Sequence, residues 1–308
     1  MLNLVRFWIL LSSLLVSAGW VLSALHQLNR SGYATVFVLA TVAFFFWRQK
    51  TGWRPQKNPA QLFQKFRRRF KRPAPLIFFL LVSLTLLSGI LYPPLNGDSE
   101  TYRLPRVLHW LADGQWHWLH AFDARMNVAA CGWEWLSAPL FLFTRTDRFL
   151  FLINWISFLM LPGLIFSVLT RLQVRPRVAW WWMWLLAAGW CFVLQAGSIA
   201  NDSFAAIYIL AAVDLALRAR EKKSVTDLWL SLLAAALTTG TKQTNIPLAL
   251  LWLIAAWPGA PVLAAASRKF RRRDFCAARF HRADVPFQLR ALRDVAAAGG
   301  GGLSFRAV

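Results

Sequence analysis

The chain has 308 residues, 57% of them apolar, with a mean hydropathy of +0.44 and 18 tryptophans. Soluble domains hold roughly 45–50% apolar residues, so water is not the main solvent of this one. Its formal charge of +22, from 35 Lys and Arg against 13 Asp and Glu, would suit a nucleic-acid groove if basic residues alternated with stacking aromatics. They stand instead in short blocks between apolar runs, as cytoplasmic loops beside anionic lipid do, and no nucleic-acid partner is expected. Cys131, Cys191 and Cys276 lie far apart and form neither a CxxC nor a Cys/His cluster, which argues against a disulfide framework or a zinc site.

The first apolar run, Phe7–Leu25, follows Arg6 and contains Ser17-Ala18-Gly19, features shared with a signal peptide. It is too long for a signal core and no small-x-small site follows it, so it reads as a retained span. Further spans are expected at Gly32–Trp47, Pro75–Tyr92, Phe149–Thr170, Val178–Gly197, Ser203–Leu217, the shorter Asp227–Thr239, and Thr244–Ala266. Lipid satisfies no open backbone group and these runs lack the alternation of barrel strands, so each is expected to be helical. The fold expected is all-α: a polytopic bundle of about eight transmembrane helices in the cytoplasmic (inner) membrane of a cell.

Sidedness follows from the basic residues. Between Arg48 and Arg72 there are ten Lys or Arg and no acid, including Arg67-Arg68-Arg69, which places this loop in the cytoplasm. The segment after Tyr92 is then outside. Trp133–Phe143 is apolar but short and carries Glu134 and Pro139. Counted as a span, it would put Arg218, Arg220, Lys222 and Lys223 outside. Read as a juxtamembrane helix lying at the outer surface, it leaves Arg171/Arg175/Arg177, the Arg218–Lys223 cluster and the Arg268–Arg273 run inside together. Three stretches result. Residues 1–74 hold two amino-terminal helices and the basic loop, and 75–266 form a transmembrane core with an outer loop at 93–148. The third, 267–308, is a basic low-complexity tail containing Gly299-Gly300-Gly301-Gly302. That tail is either a solvated arm on lipid headgroups, or the product of a reading frame lost near Arg268, which would leave a truncated and inactive chain.

Polar residues gather on the outer side. The loop opens Asn96-Gly97-Asp98-Ser99-Glu100-Thr101-Tyr102-Arg103-Leu104-Pro105-Arg106, two acids and two arginines in one membrane-proximal segment. Asp98 and Glu100 share a side only on an extended backbone. Asn-Gly-Asp is also a turn and helix-start signal, so Asp98 as a simple cap is the competing reading. His109 and Trp116-His117-Trp118-Leu119-His120 suit an aromatic belt with polar tips, and nothing in their spacing fixes a metal geometry. Lys242 stands in a polar break, Thr238-Thr239-Gly240-Thr241-Lys242-Gln243, on the side where positive charge is disfavoured; it either lines a cavity or snorkels to the interface. Asp202, after Asn201, is a helix entrance or a fourth member of an outer-face group with Asp98, Arg106 and Lys242.

The run from Asp98 to Trp110 after a span, with Gly240-Thr241-Lys242 after a helix, resembles bacterial C-type (GT-C) membrane glycosyltransferases. The likeness is to the branch of protein mannosyltransferases and aminoarabinose transferases, and covers about Pro75–Ala266. It implies an inverting transferase that moves a sugar from a polyprenyl-phosphate donor to a glycan, lipid or protein acceptor outside the cytoplasmic membrane. Asp98 matches the acid that opens the family's first outer loop and would be the general base, with Glu100 beside it. Arg106, Lys242 and Arg103 would hold the donor phosphate, Arg103 standing where relatives tend to have His. Tyr102, His109 and Asp202 complete the outer-face candidates; a divalent metal is not indicated. Two other classes remain open: a transporter or lipid flippase, since broken helices and intramembrane charge also mark substrate paths, and a non-catalytic membrane component.

Overall fold

The computed structural model describes residues 2–51, 70, 72–92 and 96–257. The tail, Arg67-Arg68-Arg69 and the second half of Thr244–Ala266 lie outside these residues. All regular elements among the described residues are helical: α1 (Leu2–Ala24), α2 (Arg30–Thr51), α3 (Pro73–Leu91), α4 (Leu104–Asp113), α5 (Arg125–Val128), α6 (Gly132–Thr144), α7 (Leu152–Arg171), α8 (Pro176–Ala187), α9 (Trp190–Ala196), α10 (Asp202–Lys222), α11 (Val225–Thr241) and α12 (Leu248–Ala256), with single turns of π type at Ser99–Arg103 and 3₁₀ type at Gln243–Asn245.

By length and composition, α1, α2, α3 and α7 are each able to cross a membrane. The expected span Val178–Gly197 is broken: Gly189 leaves helical dihedrals between α8 and α9, which meet at 55° and make a fifth span only if taken as one. Rows of large apolar side chains stand uncovered on α2 (Val38, Leu39, Phe44, Phe45, Phe46) and on α3 (Leu76, Ile77, Leu80, Leu87). Surface of that kind associates in water and is at rest in lipid.

Helices α7 and α10 carry the middle of the core. Ala211, Ala212 and Ala216 of α10 and Ala234 and Ala235 of α11 are all buried, and the two helices pack on each other; small residues of this kind suit close packing of helices that gain nothing hydrophobic from lipid. Tyr208 donates to Ser12 Oγ at 2.6 Å, tying α10 to α1, and Arg6 pairs with Asp227 of α11.

The segment Trp133–Phe143, expected to lie along the membrane surface, is helical, and its first part packs inside the protein. Every residue of α6 from Gly132 to Pro139 is buried. Two glycines admit it. A Cβ on Gly19 of α1 would lie 2.5 Å from the Trp135 ring, and one on Gly132 would lie 2.6 Å from the Gly240 carbonyl at the end of α11. Trp110 of α4 stacks on Trp135 at 5.2 Å, so the segment that follows α3 is fastened to the bundle through this wedge.

Candidate functional site

Pro105 lacks an N–H and its ring crowds the carbonyl four residues back, at Thr101. The turn ahead of it widens accordingly, and the Leu104 N–H donates to Ser99 O to close a π-turn, a geometry frequent at functional sites. Asp98 enters this turn with helical dihedrals and makes no side-chain capping hydrogen bond; Asn96 takes that place, its Oδ1 accepting from the Asp98 N–H at 3.1 Å. The Asp98 carboxylate serves other partners. Oδ1 accepts from Arg125 Nη1 at 3.1 Å, Oδ2 lies 3.6 Å from Arg103 Nη2, and the side chain stays 47% exposed. Glu100, two residues on in a helical turn, is exposed and shares none of these partners.

Tyr102 is the platform of the cluster. Its buried ring sits under three guanidinium groups, Arg125 at 4.8 Å, Arg103 at 5.4 Å and Arg106 at 5.5 Å. Its hydroxyl accepts from Arg103 Nε and Nη2, both at 3.2 Å. Arg103 reaches in the other direction as well, donating from Nη1 to Ile199 O at 3.2 Å. The loop holding that carbonyl is fixed from below by buried Asn154, whose amide donates to Ser198 O and Ala200 O.

Three residues after Ile199, α10 begins. Gln195, not Asn201, caps it: Gln195 Oε1 accepts from the Asp202 and Ser203 N–H groups at 3.0 and 2.9 Å, while Asn201 donates across to Thr241 O. Asp202 accepts from Lys242 Nζ at 2.7 Å and from Gln195 Nε2 at 2.9 Å. Partial burial works against ionisation of Asp202, but the hydrogen bonds from Lys242 and Gln195, with the charges of Lys242 and Arg103, outweigh it and hold the carboxyl below its usual range. Lys242 is therefore ion-paired at the helix mouth.

Arg106 goes elsewhere. Only 1% exposed, it donates to Glu134 Oε1 from Nε at 3.0 Å and again from Nη2, to Ala129 O at 2.8 Å and to Ala130 O at 2.7 Å. It cradles the chain that leads into α6. His109 is exposed, off the α4 face that buries Arg106, Val107 and Trp110. His117 pairs with Asp113 at 3.2 Å, and among the described residues no three metal-ligating side chains gather.

Arg103 thus bridges Asp98 and Tyr102 on one side to the Ile199 loop on the other, with Asp202 in reach of its charge; Arg106 meets this group only through the Tyr102 ring, and Glu100 and His109 stand apart from it. Sequence reasoning missed Arg125, Asp123 and Gln195. Arg125 holds Asp123 through Nε and Nη2, and these hydrogen bonds keep the Asp123 carboxyl below the usual carboxylate range. The usable signal was Arg125 itself, a basic residue two positions from an acid in a segment expected to face outward, the expectation that singled out Lys242. No protein-family model, curated protein or solved structure matches the chain.

Proposed function

We propose that the chain is a C-type membrane glycosyltransferase, using a polyprenyl-phosphate sugar donor at the outer face of the cytoplasmic membrane. The supporting observation is the state of Asp98: it caps nothing, is half exposed, and sits beside the cationic platform of Tyr102, Arg103 and Arg125. A carboxylate offers about four lone-pair sites, and two arginine contacts leave room for an acceptor hydroxyl. In this reading α10, α11 and the segment containing α12 also cross, bringing the count to about eight, and residues 93–148 lie outside.

The reaction assigned to the site is a single displacement. Asp98 accepts the proton of the acceptor hydroxyl as its oxygen attacks the anomeric carbon; the bond from that carbon to the lipid phosphate breaks with inversion, and the phosphate departs with the electron pair. Lys242 and Arg103 meet the phosphate charge. Each is opposed by a carboxylate in the free protein, Asp202 and Asp98 respectively, so donor binding exchanges one anion for another instead of filling an empty cationic hole. Arg106 acts behind Tyr102 as a positioning residue. The prenyl chain suits a cavity of about 350 Å³ between α1, α6 and α11, lined by Val16, Trp20, Trp135, Leu233, Leu237 and Gly240, the last two residues before Lys242.

Asp98→Asn is the test, with labelled sugar on a polyprenyl phosphate presented to membranes that contain the protein. Transfer is expected to fall by about 10²- to 10⁴-fold with insertion and expression unchanged. Retained transfer overturns the base assignment. A second reading, a lipid transporter or flippase, draws on a charged cavity at the other end of the bundle; substrate movement without transfer would select it.

A further inference from the structure

At the end of the bundle opposite Asp98, a cavity of about 430 Å³ is walled by Leu2 and Val5 of α1, Leu164 to Arg171 of α7, Trp180 and Met183 of α8, and Asp214 and Arg218 of α10. Its polar end is a built cluster. Asp214 is 1% exposed and fully engaged: Oδ1 accepts from Ser167 Oγ at 2.5 Å and from Arg171 Nε at 3.0 Å, and Oδ2 from Arg218 Nε at 2.7 Å. An arginine that binds a carboxylate as a fork uses two of its nitrogens on it. Here each arginine gives Asp214 only Nε. Arg171 turns Nη1 to Glu221 at the exposed edge, and Arg218 turns Nη2 to Ser167 at 2.8 Å. Arg171 Nη2 and Arg218 Nη1 have no acceptor among the described residues, and both side chains line the cavity with about a sixth of their surface open.

Charge points the same way. Two arginines face one buried carboxylate, and the second counter-charge, Glu221, pairs with Arg171 only from the edge, at 46% exposure, where another anion can replace it. A cavity with cationic groups at this depth in a lipid-facing bundle has to be solvated by something. The wall that runs inward from the arginines is apolar (Leu2, Val5, Leu164, Phe166, Met183), which suits a hydrocarbon chain and gives water no partners.

From this geometry we infer a binding site for an anionic phospholipid, its phosphodiester in the forks of Arg171 and Arg218 and one acyl chain along Leu164 and Met183. The lipid comes from the leaflet at the carboxyl ends of α7 and α10, the cytoplasmic one by the positive-inside rule. This site is independent of the transferase reading, since it uses no residue of the outer cluster.

The full-length protein in a neutral detergent provides the test, by thermal unfolding with phosphatidylglycerol, phosphatidylcholine or inorganic phosphate added, and by native mass spectrometry of bound lipid. Phosphatidylglycerol is expected to raise the unfolding temperature and to remain bound, with phosphatidylcholine and inorganic phosphate ineffective at equal concentration. Arg218→Gln should weaken retention by roughly tenfold, as loss of a charge-assisted hydrogen bond implies. Because that change also unbalances Asp214, Met183→Trp is the companion: it fills the apolar wall, leaves the charges in place, and should abolish retention in a folded protein. Equal stabilisation by inorganic phosphate, equal retention of phosphatidylcholine, or retention undiminished in Met183→Trp would each overturn the inference.

Discussion

Two ion pairs of the bundle differ in almost everything except charge. Arg106 and Glu134 are each 1% exposed and held by four hydrogen bonds from one guanidinium, whereas Lys242 and Asp202 are 38% and 50% exposed and meet through one. Buried charges are held in place by the cost of leaving either one alone, while an exposed pair is screened and readily exchanged. The first pair is therefore architecture: it carries the chain from α5 into the buried helix α6. The second has the freedom a ligand-binding cation requires.

Removing one buried partner should have the largest effect. Glu134→Ala is expected to cost about 3–5 kcal/mol, read as a fall in unfolding temperature or in the yield of folded protein from detergent. A double replacement, Arg106→Met with Glu134→Leu, should recover part of this. Recovery stays incomplete because the Ala129 and Ala130 carbonyls lose their donor. Gly19→Ala comes next, at about 1–3 kcal/mol, because its methyl group must enter the space of the Trp135 ring; an unchanged unfolding temperature would mean that α6 is not wedged against α1. Lys242→Ala is the smallest for stability, within about 1 kcal/mol, yet it should raise the apparent KM for the lipid-linked donor. A large stability loss with unaltered KM would erase the distinction between the two pairs.

Much of the helical layout was legible because long apolar runs in this composition have little choice but to be helices. Lys242 and Asp98 also stood out in the sequence, Lys242 as a charge in a polar break and Asp98 as one of two acids set among two arginines. What the chain order concealed is pairing across distance. Glu134 lies 28 positions from Arg106 and Arg125 lies 27 from Asp98, so no local spacing connects them. Gln195 caps α10 from the helix before it, which composition does not reveal. Burial of α6 was hidden for a related reason. Its short length, Glu134 and Pro139 resemble a helix at an interface, and only the close approaches at Gly19 and Gly132 show where it fits.

The π-turn at Ser99–Arg103 has a consequence for how this loop tolerates insertion and deletion. A π-turn amounts to an α-helical turn with one residue added, and each helical residue advances about 100° around the axis. Deleting Thr101 would let the turn relax to regular pitch with Arg106 and Trp110 still seated in the bundle. Asp98 would then swing by about that angle, away from Arg103 and Arg125. A single lost codon in this turn would thus leave a well-packed protein whose carboxylate points at lipid or water, separating the fold's survival from the site's.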